Sequence, residues 1–189
     1  MKAYAIAAVA ALAAAAPAAA QTPVPLPAFD SVELRGGGRV TLRHGPEQRV
    51  TLLRGDLETS RLSVEDDRLT IEACVPTCRD DHLEVEIVTP GIAGVGVHGG
   101  GVVLTEGAFP AREQLAAGIR GGGSIDLTGI EADNVAAGIQ GGGLIRAHAR
   151  ETLVAGITGG GSIRYLGDPA VTSSVRGGGS VGPAGARRD

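Results

Sequence analysis

Five Gly-Gly-Gly triplets, at residues 99–101, 121–123, 141–143, 159–161 and 177–179, recur at intervals of 22, 20, 18 and 18 residues. The text around them nearly repeats. Ala117-Gly118-Ile119-Arg120 leads into one triplet, Ala137-Gly138-Ile139-Gln140 into the next and Ala155-Gly156-Ile157-Thr158 into the one after. A glycine in an ordered segment costs roughly 0.5–1 kcal/mol relative to alanine, so five triplets cost on the order of 10 kcal/mol, as much as a domain's whole stability. A geometric need must stand behind them. The need expected here is a sharp corner at positive φ, where any Cβ would clash with the layer of chain above.

Parity separates this pattern from a flexible linker. Leu115, Ala117, Ile119, Ile125 and Leu127 lie two apart on either side of one triplet, and Val135, Ala137, Ile139, Ile145 and Ala147 repeat the arrangement around the next. Polar residues such as Arg120, Ser124 and Asp126 fill the positions between. Period-two alternation is the strand signature, whereas a helix needs a period of 3.6 and is opposed by glycine. A strand unit with one apolar face, repeated every 18–22 residues, buries that face by stacking on its neighbours. The spacing predicts Ile119 over Ile139, Ile157 and Val175, and Ile125 over Ile145, Ile163 and Val181. The fold class expected is all-β, a single-stranded parallel β-helix. Composition agrees: 31 glycines and only Phe29, Phe109 and Tyr165 as aromatics after residue 20 suit columns of aliphatic side chains better than a core of large ones.

Residues 29–90 differ in texture. Val32-Glu33-Leu34, Val40-Thr41-Leu42, Val50-Thr51-Leu52, Leu69-Thr70-Ile71 and Leu83 to Ile87 read as short alternating strands, and Gly36-Gly37-Gly38 is a sixth triplet. They are expected to form irregular first coils and a polar cap of one domain spanning 29–182, with the five regular repeats at 91–182 and a tail at 183–189. Residues 1–20 read as a secretory signal peptide: Lys2, an apolar run from Ala5 to Ala16, then Ala18-Ala19-Ala20 before Gln21. An uncleaved anchor is the alternative, although the run is short for a bilayer. Residues 21–28 are expected to be a disordered leader. The location implied is exported, periplasmic or extracellular, with no integral membrane segment after cleavage. Cys74 and Cys78, the only cysteines, read as a disulfide in that compartment, with a metal site or redox pair as the rival readings.

Several of these segments together resemble a known family. Phe29-Asp30-Ser31-Val32, the stretch from Gly36 to Leu42, Val50-Thr51, Leu69-Thr70-Ile71 and the Gly-Gly-Gly-Ser-Ile repeats look like the putative auto-transporter adhesin, head GIN domain family, over about residues 29–182. The resemblance implies a right-handed single-stranded β-helix exported by bacteria, without an enzymatic activity to transfer. No membrane barrel follows Gly182 in this sequence, unlike an auto-transporter.

Motifs of chemistry are few. Gly94 to Gly99 matches a dinucleotide fingerprint by letters, but more strand follows where a helix is required. Ser180 sits in a Gly-x-Ser-x-Gly string that Pro183 prevents from opening a helix. Arg54-Gly55-Asp56 reads as a turn. His44, His82, His98 and His148 show no metal-ligand spacing, and no metal or cofactor is expected. The acidic group Glu65, Asp66, Asp67, Asp80 and Asp81 reads as a turn rather than a calcium loop, which needs regular oxygen spacing. With net charge −4, or −5 once Lys2 is removed, and no basic cluster, nucleic acid is not an expected partner. One outward ladder remains as the candidate ligand-binding site: His98, Arg120, Gln140, Thr158 and Arg176, each just before a glycine corner. The function expected is a non-catalytic envelope protein that binds or adheres to an envelope glycan or protein. The alternatives are a polysaccharide-acting enzyme, for which Asp126, Arg146 and Arg164 share one face, and a structural spacer.

Overall fold

The computed structural model describes residues 22–73 and 83–185. They fold into one curled, mixed sheet of fifteen strands, with no helix among the described residues. The first seven strands are β1 (Thr22–Val24), β2 (Ser31–Gly36), β3 (Arg39–His44), β4 (Arg49–Arg54), β5 (Arg61–Glu65), β6 (Arg68–Glu72) and β7 (Glu84–Thr89). Next come β8 (Gly94–Gly99), β9 (Val102–Glu106), β10 (Arg112–Gly121), β11 (Ser124–Gly141) and β12 (Leu144–Gly159). The last are β13 (Ser162–Leu166), β14 (Ala170–Arg176) and β15 (Ser180–Pro183).

Over the regular repeats the pairing is parallel and in register. Ile119 lies beside Ile139, Ile139 beside Ile157 and Ile157 beside Val175. Ile125, Ile145, Ile163 and Val181 form the second column. Inward residues of these columns are almost fully buried until the last layer, where Val171 and Val175 remain 40% exposed because β14 pairs only with β12.

The corners behave as expected at two of the three glycines. Gly141 has φ +130°, and a Cβ there would run into the carbonyl oxygen of Gly121, whose C and Cα lie only 3.1 and 3.2 Å away. A Cβ on Gly143 would meet the Gly123 carbonyl oxygen at 2.7 Å. The middle glycine is different: Gly142 has open space at its Cβ and no positive φ. Nothing in the structure explains it.

The N-terminal part departs from a uniform parallel solenoid in two ways. First, the sheet is mixed: β1 with β4, β4 with β7, and β5 with β6 are antiparallel. These strands flank the outermost layer and shield its edge, a common way to blunt an open sheet. Second, the layers do not follow chain order. β2 pairs with both β6 and β8, and β3 with both β7 and β9, so the first layer made lies inside the second. Residues 74–82, between β6 and β7 in the chain, include Cys74, Cys78 and His82 and lie outside the described residues.

Residues 22–24, expected within a disordered leader, instead form β1 on the outer edge of β4, with Pro23 opposite Thr51. An edge strand can hold a proline because one side of it needs no donor. Gln48 fastens the following segment, accepting from Phe29 N at 3.0 Å and donating to Phe29 O at 2.8 Å.

Gly141→Ala is expected to destabilise by about 2 kcal/mol, a fall in Tm of roughly 4–8 °C, whereas Gly142→Ala stays within about 0.5 kcal/mol of wild type. Thermal unfolding of the two variants checks this, and equal losses would refute the corner assignment.

Candidate functional site

The expected ladder exists as a column on one outward face. Parallel register sets His98 beside Arg120, then Gln140, Thr158 and Arg176. It extends further than the glycine triplets alone suggest, because Arg35 pairs with His98 and Glu72 with Arg35. Alternation puts these side chains outside while Ile119, Ile139 and Ile157 on the same strands face the core.

Two positions earlier on each strand runs a second outward column: Glu33, Gly96, Gly118, Gly138, Gly156 and Ser174. Beyond it lies a third, with Ser31, Gly94, Ala116, Ala136, Val154 and Thr172 in register. The glycines form the floor of an open groove with the polar ladder as one wall. The two sides of that floor enclose about 730 and 780 Å³.

Charge is unevenly distributed along the groove. At its N-terminal end Glu33, 8% exposed, receives Arg35 Nε at 2.7 Å, with Arg68 Nη1 and His98 Nδ1 each at 3.8 Å. Arg35 also reaches Glu72 at 3.6 Å. Burial pushes the Glu33 carboxyl up, but the Arg35 hydrogen bond and the charges of Arg35, His98 and Arg68 outweigh it and hold it below the usual carboxylate range. A carboxyl poised as a general acid is shifted the other way. Further along the wall Arg120, in the layer next to His98, and Arg176, at the far end, are exposed and have no ion-pair partner among the described residues.

The remaining candidates are accounted for locally. Asp126, Arg146 and Arg164 do share a face, but Arg146 Nη1 pairs with Asp126 Oδ2 at 3.4 Å and Thr128 donates to Asp126 Oδ1 at 2.7 Å. Arg164 donates to Ser180 Oγ at 3.3 Å. Arg54 ends β4, Gly55 bends the chain at φ +117°, and Glu58 N donates to Asp56 Oδ1 in the turn that follows. Asp66 and Asp67 take the two positive-φ positions of the β5–β6 hairpin. Asp80 and Asp81 lie outside the described residues. His44 meets Phe109 edge-on at 5.7 Å, and His148 stands 3.9 Å from Glu131.

Sequence reasoning missed Glu33, Arg35, Arg68 and the glycine floor. Matching the sixth triplet to the others would have placed Arg35 opposite His98. The floor is written as the glycine two positions before each ladder residue. Arg68 and Glu72 sit on β6, which has no triplet to align.

Residues 109–169 match the model of the family described as putative auto-transporter adhesin, head GIN domain, so the resemblance holds over that stretch. No curated protein matches the chain. A crystal structure of a putative adhesin from Bacteroides fragilis aligns with 17% identity and TM-score 0.55, covering 87% of this chain and 96% of the other. A putative adhesin from Parabacteroides merdae aligns with 15% identity and TM-score 0.43, covering 87% and 95%. A putative cell adhesion protein from Clostridium sporogenes aligns with 11% identity and TM-score 0.32, covering 85% and 99%. The Bacteroides fragilis likeness is one of fold.

Because the folded pKa of Glu33 lies below its unfolded value, its contribution to stability is present above about pH 4.5 and is lost as pH falls through the folded value. Glu33→Gln should therefore be less stable than wild type near neutrality, with the difference in Tm closing below pH 4.5. A pH series of melts on both proteins tests the sign; a gap that widens on acidification refutes it.

Proposed function

We propose that this chain is an exported, non-catalytic protein of the bacterial cell envelope, periplasmic or extracellular, whose grooved face binds an envelope polymer. In this reading residues 1–20 direct export, and residues 29–182 coil as one right-handed single-stranded β-helix with an irregular N-terminal cap. Residues 183–189 form a short tail, and Cys74 and Cys78 form a disulfide. His98, Arg120, Gln140, Thr158 and Arg176 make the ligand contacts. The observation that carries the proposal is the in-register polar column beside an open glycine floor. A purely structural coil has no use for such a face. The adhesin family model and the fold likeness to a putative adhesin support a binding role over an enzymatic one.

The alternative, an enzyme that cuts polysaccharide, finds less support. The carboxylates nearest the groove, Glu33 and Glu72, are both held by Arg35. The spacer reading predicts no ligand at all.

Co-sedimentation of the purified protein with fractionated cell envelope and polysaccharides separates the three readings. Saturable binding to one fraction, lost in Arg120→Ala/Arg176→Ala, is the expected outcome. Shortening of a polymer during incubation would favour the enzyme, and no binding to any fraction would favour the spacer.

A further inference from the structure

We infer that the groove holds a linear polysaccharide bearing carboxylates, laid across successive layers of the sheet; this rests on the binding role proposed above and narrows its ligand to one chemical class.

The cations come first. Arg120 and Arg176 stand on one wall with no ion-pair partner among the described residues, in a chain of net charge −4. Other arginines, such as Arg43 with Glu86 and Glu106 and Arg150 with Asp133, are paired, and what sets Arg120 and Arg176 apart from the further unpaired ones is their place on this wall. Arg120 and Arg176 lie three layers apart, about 14 Å at 4.8 Å per layer. Gln140 and Thr158 stand between them as neutral hydrogen-bonding groups. The wall therefore offers two guanidinium forks, each suited to a carboxylate, separated by donors and acceptors suited to hydroxyls.

The floor supplies the shape. Gly118, Gly138 and Gly156 are mid-strand, lack positive φ, and would place a Cβ in open space with nothing within 4 Å. Neither backbone conformation nor packing requires glycine there, and each weakens its strand by roughly 0.5–1 kcal/mol relative to alanine. What three adjacent bare positions provide is close approach of a ligand to the sheet. On the far side Ala116, Ala136 and the 57%-exposed Val154 offer a low apolar wall. A sugar ring presents an apolar CH face and a polar rim, and linked pyranoses advance by about one layer per unit.

Other extended polymers fit less well. The strands beneath the groove are hydrogen-bonded on both sides, so a peptide cannot add as a further strand there. Among the described residues no Phe, Tyr or Trp lines the groove as a stacking platform for nucleobases, and its single imidazole, His98, sits against Glu33 at the closed end.

The test is a titration of the full protein with fluorescent oligogalacturonate, its methyl ester, and sulfated dextran. Wild type should bind the free acid in preference to both others. Arg120→Ala/Arg176→Ala should weaken binding by at least about tenfold, while Arg43→Ala and Arg150→Ala leave it unchanged. Gly138→Val should abolish binding while Tm holds or rises by roughly 2–4 °C, because valine favours strands. Equal binding of the ester or of sulfated dextran overturns the inference. So does wild-type affinity in Gly138→Val, or a marked loss of its Tm, which would show that the glycine serves the fold. Envelope binding that survives without any oligogalacturonate binding removes this ligand class and leaves the binding role standing. Loss of both removes both.

Discussion

At each glycine corner one layer of chain touches the next through its backbone. The amide of Gly142 donates to the carbonyl of Gly121 at 3.0 Å, and Gly122 donates to Gly99 at the same distance. The accepting carbonyl is the one that a Cβ on the first glycine of the triplet above would strike. The hydrogen bond that joins layers thus excludes side chains beside it. Because the corners superimpose, the strands on either side fall into register, and each core residue meets its own kind above and below. The aliphatic columns and the polar ladder are both consequences of that contact.

This explains what could be read from the sequence. Triplets fix where corners lie, and parity fixes which side of each strand is buried, so the partners of Ile119 and Ile125 could be named without coordinates. The ladder from His98 to Arg176 followed from the same alignment. Residues outside the repeat could not be placed this way. β1 contains a proline and only three residues, and only β4, some 27 positions later, makes it a strand. The exchange of the first two layers leaves no trace in periodicity, since β6 and β7 have no triplet between them.

The groove follows the same division. Its C-terminal part, built from regular repeats, has unpaired arginines and a bare floor. Its N-terminal part ends in a knot of charge around Glu33, where Arg35, Arg68 and His98 converge on one carboxylate. The knot joins three layers, one of which arrives from β6. It closes one end of the groove with side chains already committed to one another, and leaves Arg120 beside it and Arg176 at the far end to solvent.

The exchanged layers also bear on the order of assembly. In the regular part, neighbouring strands are separated by 18–22 residues, so each layer can close on the last over a short loop. β2 must instead wait for β8, 63 residues further on, where Ser31 meets Gly94. Closing a longer loop costs more chain entropy, and distant pairings slow folding. The segment synthesised early is therefore completed late: its edge towards β6 closes over 37 residues, where Ser31 meets Arg68, and its edge towards β8 over 63.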